Sequence, residues 1–176
     1  MPTRRDGAER LRLRLLRAVD EQPFMAAHKA GTSDRYIFGL GYEPGMAWAD
    51  YLDRLDRERQ AIDLAPGRVA ATFLVAEVDG EIVGRVSIRH ELNEFLAREG
   101  GHIGYVVVPA HRRRGYAAEM LRQALVIARA HGVDRSLLVV DEDNTPSVRV
   151  IESCGAELQD VLTDEAGRRM RRYWIS

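Results

Sequence analysis

The chain has 176 residues, 45% of them hydrophobic and 30% charged, and 26 basic residues nearly balance 27 acidic ones to give a net charge of −1. These are the proportions of one soluble domain that buries roughly 70% of its unfolded surface, which excludes a disordered chain, a collagen-like repeat and a membrane bundle. A near-neutral chain has no global attraction for nucleic acid or anionic lipid, and the single cysteine, Cys154, allows no internal disulfide and argues against a cysteine-based zinc site.

No apolar run reaches the roughly 20 residues that span a bilayer, and the first residues lack the apolar core of a secretory signal. The expectation is a cytoplasmic protein with no membrane partner, no nucleic-acid partner and no metal. Lys29 is the single lysine, so 25 of the 26 basic residues are arginine. They cluster at Arg4 to Arg17, Arg112 to Arg114 and Arg168 to Arg172.

Residues 8–19 fit two periods. Leu11, Leu13 and Leu15 alternate with arginines as in a strand, while Ala8, Leu11, Leu15, Ala18 and Val19 make a helical stripe; good helix formers favour the helix. Residues 31–45 combine several glycines with Tyr36, Phe38 and Tyr42 and read as a long loop carrying aromatics. A helix is expected from Met46 to Ile62, ended by Pro66 and Gly67.

Two strands, Val69 to Val78 and Glu81 to His90, flank Asp79-Gly80, a strong hairpin signal. Gly100-Gly101 precedes a strand from His102 to Val108, which Pro109 stops. An amphipathic helix follows from Gly115 to His131, ended by Gly132. Ser136 to Val140 is a continuous apolar run, as in a strand buried on both faces. Thr145-Pro146 opens a short helix to Cys154, and final strands are expected over Ala156 to Leu162 and Arg169 to Ile175. The order predicts one α/β domain with a mixed, mostly antiparallel sheet and helices on both faces.

The segment Val106 to Met120 carries the chemistry. A strand passes through a short basic loop into a helix that begins at Gly115. Free N–H groups at a helix N-terminus make an anion site, glycine admits a ligand to the backbone, and Arg112, Arg113 and Arg114 add charge. A solvated basic loop with glycine used for packing is the other reading. No Gly-Lys-Ser/Thr follows and the glycines of the dinucleotide fingerprint are missing, so neither of those phosphate motifs applies.

The run Arg112-Arg113-Arg114-Gly115-Tyr116-Ala117 resembles the acetyl-CoA motif Arg/Gln-x-x-Gly-x-Gly/Ala of the GNAT superfamily of N-acetyltransferases. Asn144, Ser147 and Gly155 stand at the spacing of that family's second block, and the wider run looks most like the branch containing ribosomal-protein alanine acetyltransferases. The resemblance runs from about residue 69 to the C-terminus and is weak before residue 65. It implies a splayed central strand pair, with residues 1–66 as a helical acceptor side and residues 67–176 as the acetyl-CoA-binding core of a single domain.

It further implies that Val106, Val107 and Val108 end the central strand at a bulge and pair with the pantetheine arm. The backbone of Arg113, Arg114, Gly115, Tyr116, Ala117 and Ala118 would hold the pyrophosphate, with Arg112 beside it. Asn144 and Ser147 would touch the arm, although Asn144 also reads as a helix cap and Ser147 as an exposed first-turn serine. The implied activity is direct transfer of an acetyl group from acetyl-CoA, as co-substrate, to a small-molecule or peptide amine, without a metal. Homodimers are common in the family. The alternative is a CoA-binding sensor or interaction module without catalysis.

Acid and base are less legible. The tyrosine that many relatives carry seven residues after Asn144 is Ile151 here, so Tyr173, Tyr105 and Tyr116 are the alternative acids. His102, at the start of the central strand, is the candidate base because imidazole titrates near neutrality; a structural histidine at a strand start is the other reading. Cys154 reads as a packed cysteine. Arg168, Arg169, Arg171 and Arg172 read either as a solvated hairpin or as a site for an acidic acceptor or the 3′-phosphate of CoA.

Overall fold

The computed structural model describes residues 10–33 and 36–176. Arg4 and Arg5 of the first basic cluster, and the first two residues of the expected N-terminal helix, lie outside them. The elements are β1 (Arg12–Arg14), α1 (Glu21–Gly31), α2 (Trp48–Arg59), β2 (Ala71–Val78), β3 (Glu81–Arg89), β4 (Ile103–Val107), α3 (Tyr116–Ala130), β5 (Ser136–Asp141), α4 (Thr145–Ser153), β6 (Glu157–Thr163) and β7 (Arg169–Ile175). Among the described residues no helix is long and apolar enough to cross a membrane.

The strands form a four-stranded sheet β1-β2-β3-β4 and a three-stranded sheet β5-β7-β6, each antiparallel throughout. One face of the first sheet packs on α3, with Val86, Ile88, Met120, Leu121 and Ala124 buried together. The other face carries the aromatic cluster of α1, α2 and the loop between them, including Phe24, Phe38, Trp48 and Tyr51. β2 is buried on both faces, which is why Ala71 to Ala76 reads as a nearly unbroken apolar run.

The expected helix over residues 8–19 is a strand instead. Leu13 pairs with Ala76 of β2, and Leu11 is buried in the core. Tertiary partners outweigh the helical propensity of this segment. The side chain of Gln123 on α3 accepts from the Leu13 N–H at 3.1 Å and donates to the Leu11 carbonyl at 2.8 Å, which closes the outer edge of β1. Arg14 joins buried Asp20 at 2.6 Å and Glu77 at 2.5 Å, fixing the turn into α1. That helix, which includes Pro23 in its first turn, is absent from the expected elements.

The two sheets meet at a seam between β4 and β5. The His102 N–H donates to the Leu137 carbonyl at 2.7 Å, and the Leu137 N–H donates to Nδ1 of the His102 ring at 2.8 Å. Gly101 sits at φ +66°, and a Cβ there would lie 2.6 Å from the Leu137 carbonyl oxygen, so only glycine allows this approach. The bulge expected at Val106 to Val108 is not found: β4 pairs with β3 in unbroken register from Ile103 to Val107.

His102 is buried, and burial followed by nearby Arg89 lowers its pKa. Its Nδ1 accepts a hydrogen bond, so the ring is neutral with its proton on Nε2; protonation would set two donors against each other at the seam. Removing the acceptor in His102→Leu should leave the Leu137 N–H unpaired and cost about 1–3 kcal/mol. The amide oxygen of His102→Gln should keep most of that stability. The lowered pKa makes the histidine's contribution present above the unfolded-state value of about 6.5 and lost as pH falls below it. Thermal melts from pH 7.5 to 5 should therefore show the wild-type protein losing stability relative to His102→Gln as pH falls. Parallel curves would contradict the seam assignment.

Candidate active site

β4 and β5 are joined at their N-terminal ends by His102 and Leu137, so the site lies where they separate. Val108 donates its N–H to the Val83 carbonyl at 2.9 Å. The alternation of an antiparallel ladder then turns the polar backbone of Val106 to Arg85 and that of Tyr105 and Val107 to the gap beside β5. The three valines are thus divided: Val107 offers its backbone to the gap, while Val106 and Val108 are committed to β3 and bury their side chains with the aromatic cluster.

Beyond β4 the chain makes a single 3₁₀ turn at Pro109–His111 and enters the basic loop. Arg113 has φ +65° and Gly115 φ +84°, so the loop curls with successive residues at unusual backbone angles. Gly115 is the N-cap of α3 and no side chain caps the helix. The N–H groups of the first turn, from Tyr116 onward, are free to bind an anion. Arg112 donates from Nε to the Val107 carbonyl at 3.2 Å, and Arg114 to the Ala110 carbonyl at 3.4 Å, which holds two of the three arginines along the loop. The residues present fit a pyrophosphate-bearing ligand: an uncapped helix N-terminus, a glycine at its start and three arginines.

α4 supplies the opposite wall. Asn144 caps it, with Oδ1 accepting from the Ser147 N–H at 3.3 Å, and its Nδ2 also donates to the Tyr36 hydroxyl at 2.9 Å. The Ser147 hydroxyl lies 2.8 Å from that of Tyr105. The helix-cap reading of Asn144 therefore holds, and the same side chain also reaches the loop after α1. A chain of contacts runs from Tyr36 in the loop after α1, through Asn144 and Ser147, to Tyr105 on β4. Burial pushes the Tyr105 phenol up to about 12, and the Ser147 bond only partly opposes this.

The remaining expected residues lie elsewhere. His102 is at the seam, five residues and about 17 Å along the strand from Val107. Tyr173 is in the core of the second sheet and donates to Glu152 of α4 at 2.8 Å. Ile151, at the usual tyrosine position, is buried in the core. Cys154 is half-buried at the C-cap of α4, where burial raises its pKa. The C-terminal arginines are neutralised by their neighbours: Arg168 by Asp164 at 3.0 Å, Arg171 by Glu142 at 3.3 Å, Arg172 by Asp160 at 2.5 Å, and Arg169 by Glu142.

Sequence reasoning missed Tyr36 as a contact of Asn144, and it missed Arg85. Arg85 is buried and donates only to carbonyls: from Nε to Phe38 at 3.0 Å, from Nη1 to Gly104 at 3.3 Å and from Nη2 to Ile37 at 2.6 Å. It thereby ties the aromatic loop to β3 and β4. An arginine inside a strand otherwise rich in apolar residues is the available signal.

The family model for the acetyltransferase (GNAT) family matches residues 38–156. Solved structures with the same fold include the Mycobacterium smegmatis RimJ in complex with CoA-disulfide, at TM-score 0.67 and 24% identity over 94% of this chain and 81% of that one. The Salmonella typhimurium yncA, solved with its cofactor acetyl-CoA, has TM-score 0.64 and 15% identity over 95% and 94%. A mutant form of the Vibrio cholerae spermidine/spermine N-acetyltransferase SpeG has TM-score 0.64 and 21% identity over 95% and 94%. No curated protein matches the chain.

Gly115→Glu should test the anion site. A carboxylate at the head of α3 should lower the affinity for CoA at least tenfold, about 1.4 kcal/mol. Calorimetric titration of a variant with the wild-type melting profile reads this, and unchanged affinity would move the site elsewhere.

Proposed function

This chain belongs to the acetyltransferase (GNAT) family, and we propose that it moves an acetyl group from acetyl-CoA to the amine of a second substrate, directly and without an acetylated enzyme. The observation that carries this reading is the uncapped N-terminus of α3 at Gly115, set beside the gap into which Val107 turns its backbone. In this reading residues 67–176 hold acetyl-CoA, and the described part of residues 1–66 builds the acceptor side.

The first-turn N–H groups of α3 hold the pyrophosphate, with Arg113 and Arg114 adjacent. The Val107 backbone pairs with the pantetheine amides, and an N–H of the gap faces the thioester oxygen where negative charge develops. The amine nitrogen attacks the thioester carbon, the new C–N bond forms, and the C–S bond breaks. Tyr105 donates its hydroxyl proton toward the departing thiolate. Its raised pKa keeps that proton in place at neutral pH, and Ser147 orients it. The proton lost by the acylated nitrogen returns to Tyr105 through water, so the balance closes on an amide and free CoA thiol.

His102 and Tyr173 have no chemical role in this reading. The Nδ1 lone pair of His102 is occupied by Leu137, and the Tyr173 hydroxyl is bonded to Glu152.

Thiol release from acetyl-CoA across a panel of amines tests the activity. Initial-velocity lines should intersect, as in a ternary complex, whereas parallel lines would indicate an acetylated enzyme. A binding module without catalysis would titrate with CoA yet release no thiol with any amine. Tyr105→Phe should lower kcat by about a hundredfold on typical values for acid catalysis, with little change in CoA affinity. A variant with wild-type kcat would remove Tyr105 from the mechanism.

A further inference from the structure

The acceptor side of the first sheet holds a charge arrangement that the acetyl-CoA site does not use. Arg85, Ser87 and Arg89 alternate along β3 and point to the same face. Their guanidinium groups converge over Gly104 of β4, which pairs directly with Ser87 and immediately precedes Tyr105. A Cβ on Gly104 would lie 3.4 Å from Nη1 of Arg89, 3.8 Å from Nη1 of Arg85 and 3.9 Å from Nη2 of Arg89. The glycine leaves a wedge of space against two like charges.

Unlike the C-terminal arginines, these two lack carboxylate partners among the described residues. Arg89 donates from Nη1 to the carbonyls of Gly100 at 3.1 Å and Gly101 at 3.4 Å, and its Nε and Nη2 donate to no described residue. The nearest acid acting on it, Glu58, is already paired with Arg68. Burial, followed by repulsion from Arg89, lowers the Arg85 pKa.

Arg89 and Ser87 line a cavity of about 240 Å³ whose other walls include Leu40, Leu55, Phe73 and Leu96. The cavity is below the roughly 300–1,000 Å³ of a drug-sized pocket. Its wall also carries the Glu58–Arg68 ion pair, so Arg89 is the lining cation without a carboxylate partner among the described residues.

We propose that Arg89, supported by Arg85, is a carboxylate subsite on the acceptor side, and that the acceptor is a free amino acid or closely related small amino carboxylate with an apolar side chain. The proposal rests on the reading that the chain acetylates an amine, and it supplies the substrate class. A guanidinium offers a carboxylate two parallel hydrogen bonds. With the carboxylate on Arg89, the side chain of the acceptor enters the cavity between Leu40, Leu55, Phe73 and Leu96, and its amine is directed along β4 toward the gap. The same pair of cations repels a polyamine, whose charges are all positive.

The test uses the full chain, the twenty common amino acids, their carboxamides and spermidine. Thiol release from acetyl-CoA is read for turnover, and thermal shift without acetyl-CoA for binding. At least one apolar amino acid should exceed its own carboxamide by tenfold or more in kcat/KM. Arg89→Gln should remove that preference while leaving the carboxamide rate within about twofold, and Arg89→Lys should fall between. Gly104→Ala serves as a second variant if Arg89→Gln does not fold, because its Cβ makes ordinary contacts yet fills the wedge; it should also erase the preference.

Carboxamides or spermidine reacting as well as the acids would overturn the subsite and leave acetyl transfer standing. Stabilisation by an amino acid that depends on Arg89, without thiol release, would support the subsite and overturn the transfer reading. Neither stabilisation nor release with any compound would overturn both.

Discussion

Everything in this molecule depends on two hydrogen bonds between His102 and Leu137. They tie β4 to β5 at one end and let the strands part at the other. A continuous sheet would have satisfied the backbone of Tyr105 and Val107 and left nothing for a ligand to pair with. Buried backbone groups without partners are costly, so the open half of the seam is stable only beside water or an extended ligand rich in amides. A pantetheine arm has that chemistry. The histidine that looked like a base in the sequence is what makes the gap possible.

The second constraint is electrostatic. Arg85 is buried among carbonyls and draws the backbone of Ile37 and Phe38 onto the sheet. The aromatic loop is thereby held where Tyr36 reaches Asn144, the cap of α4. One amide side chain thus serves a helix terminus and a loop from the other half of the chain. The loop after α1, the start of α4 and β4 are linked through Tyr36, Asn144, Ser147 and Tyr105.

Features with a local period were legible in the sequence. The hairpin at Asp79-Gly80, the apolar stripe of α3, the buried strand β5 and the Gly115 loop all stand within a residue or two of their expected places. Features decided by distant partners were not. Leu11, Leu13 and Leu15 carry both periods, and it is Ala76 and Gln123 that select the strand. The need for glycine at 101 has no local signal, because the carbonyl it approaches belongs to Leu137. The surroundings of Arg85 and Arg89 have no local signal either, since nothing nearby in sequence reveals that carboxylates are missing around them. Asn144 caps α4 as one of its two readings has it, while its second bond, to Tyr36, joins residues 108 positions apart.

Gln123 has a bearing on how the chain is made. Its amide closes the open edge of β1 across 110 residues of sequence. At a synthesis rate of about 5–20 residues per second, β1 leaves the ribosome roughly 5–20 s before the residue that caps it. During that interval the outer edge of the N-terminal sheet lacks its cover. Contacts of such sequence separation also form slowly, because the loop must close before the bond rewards it. The short length of β1 (Arg12–Arg14) and its two flanking arginines suit that wait, since a brief, charged edge is a poor template for pairing with another nascent chain.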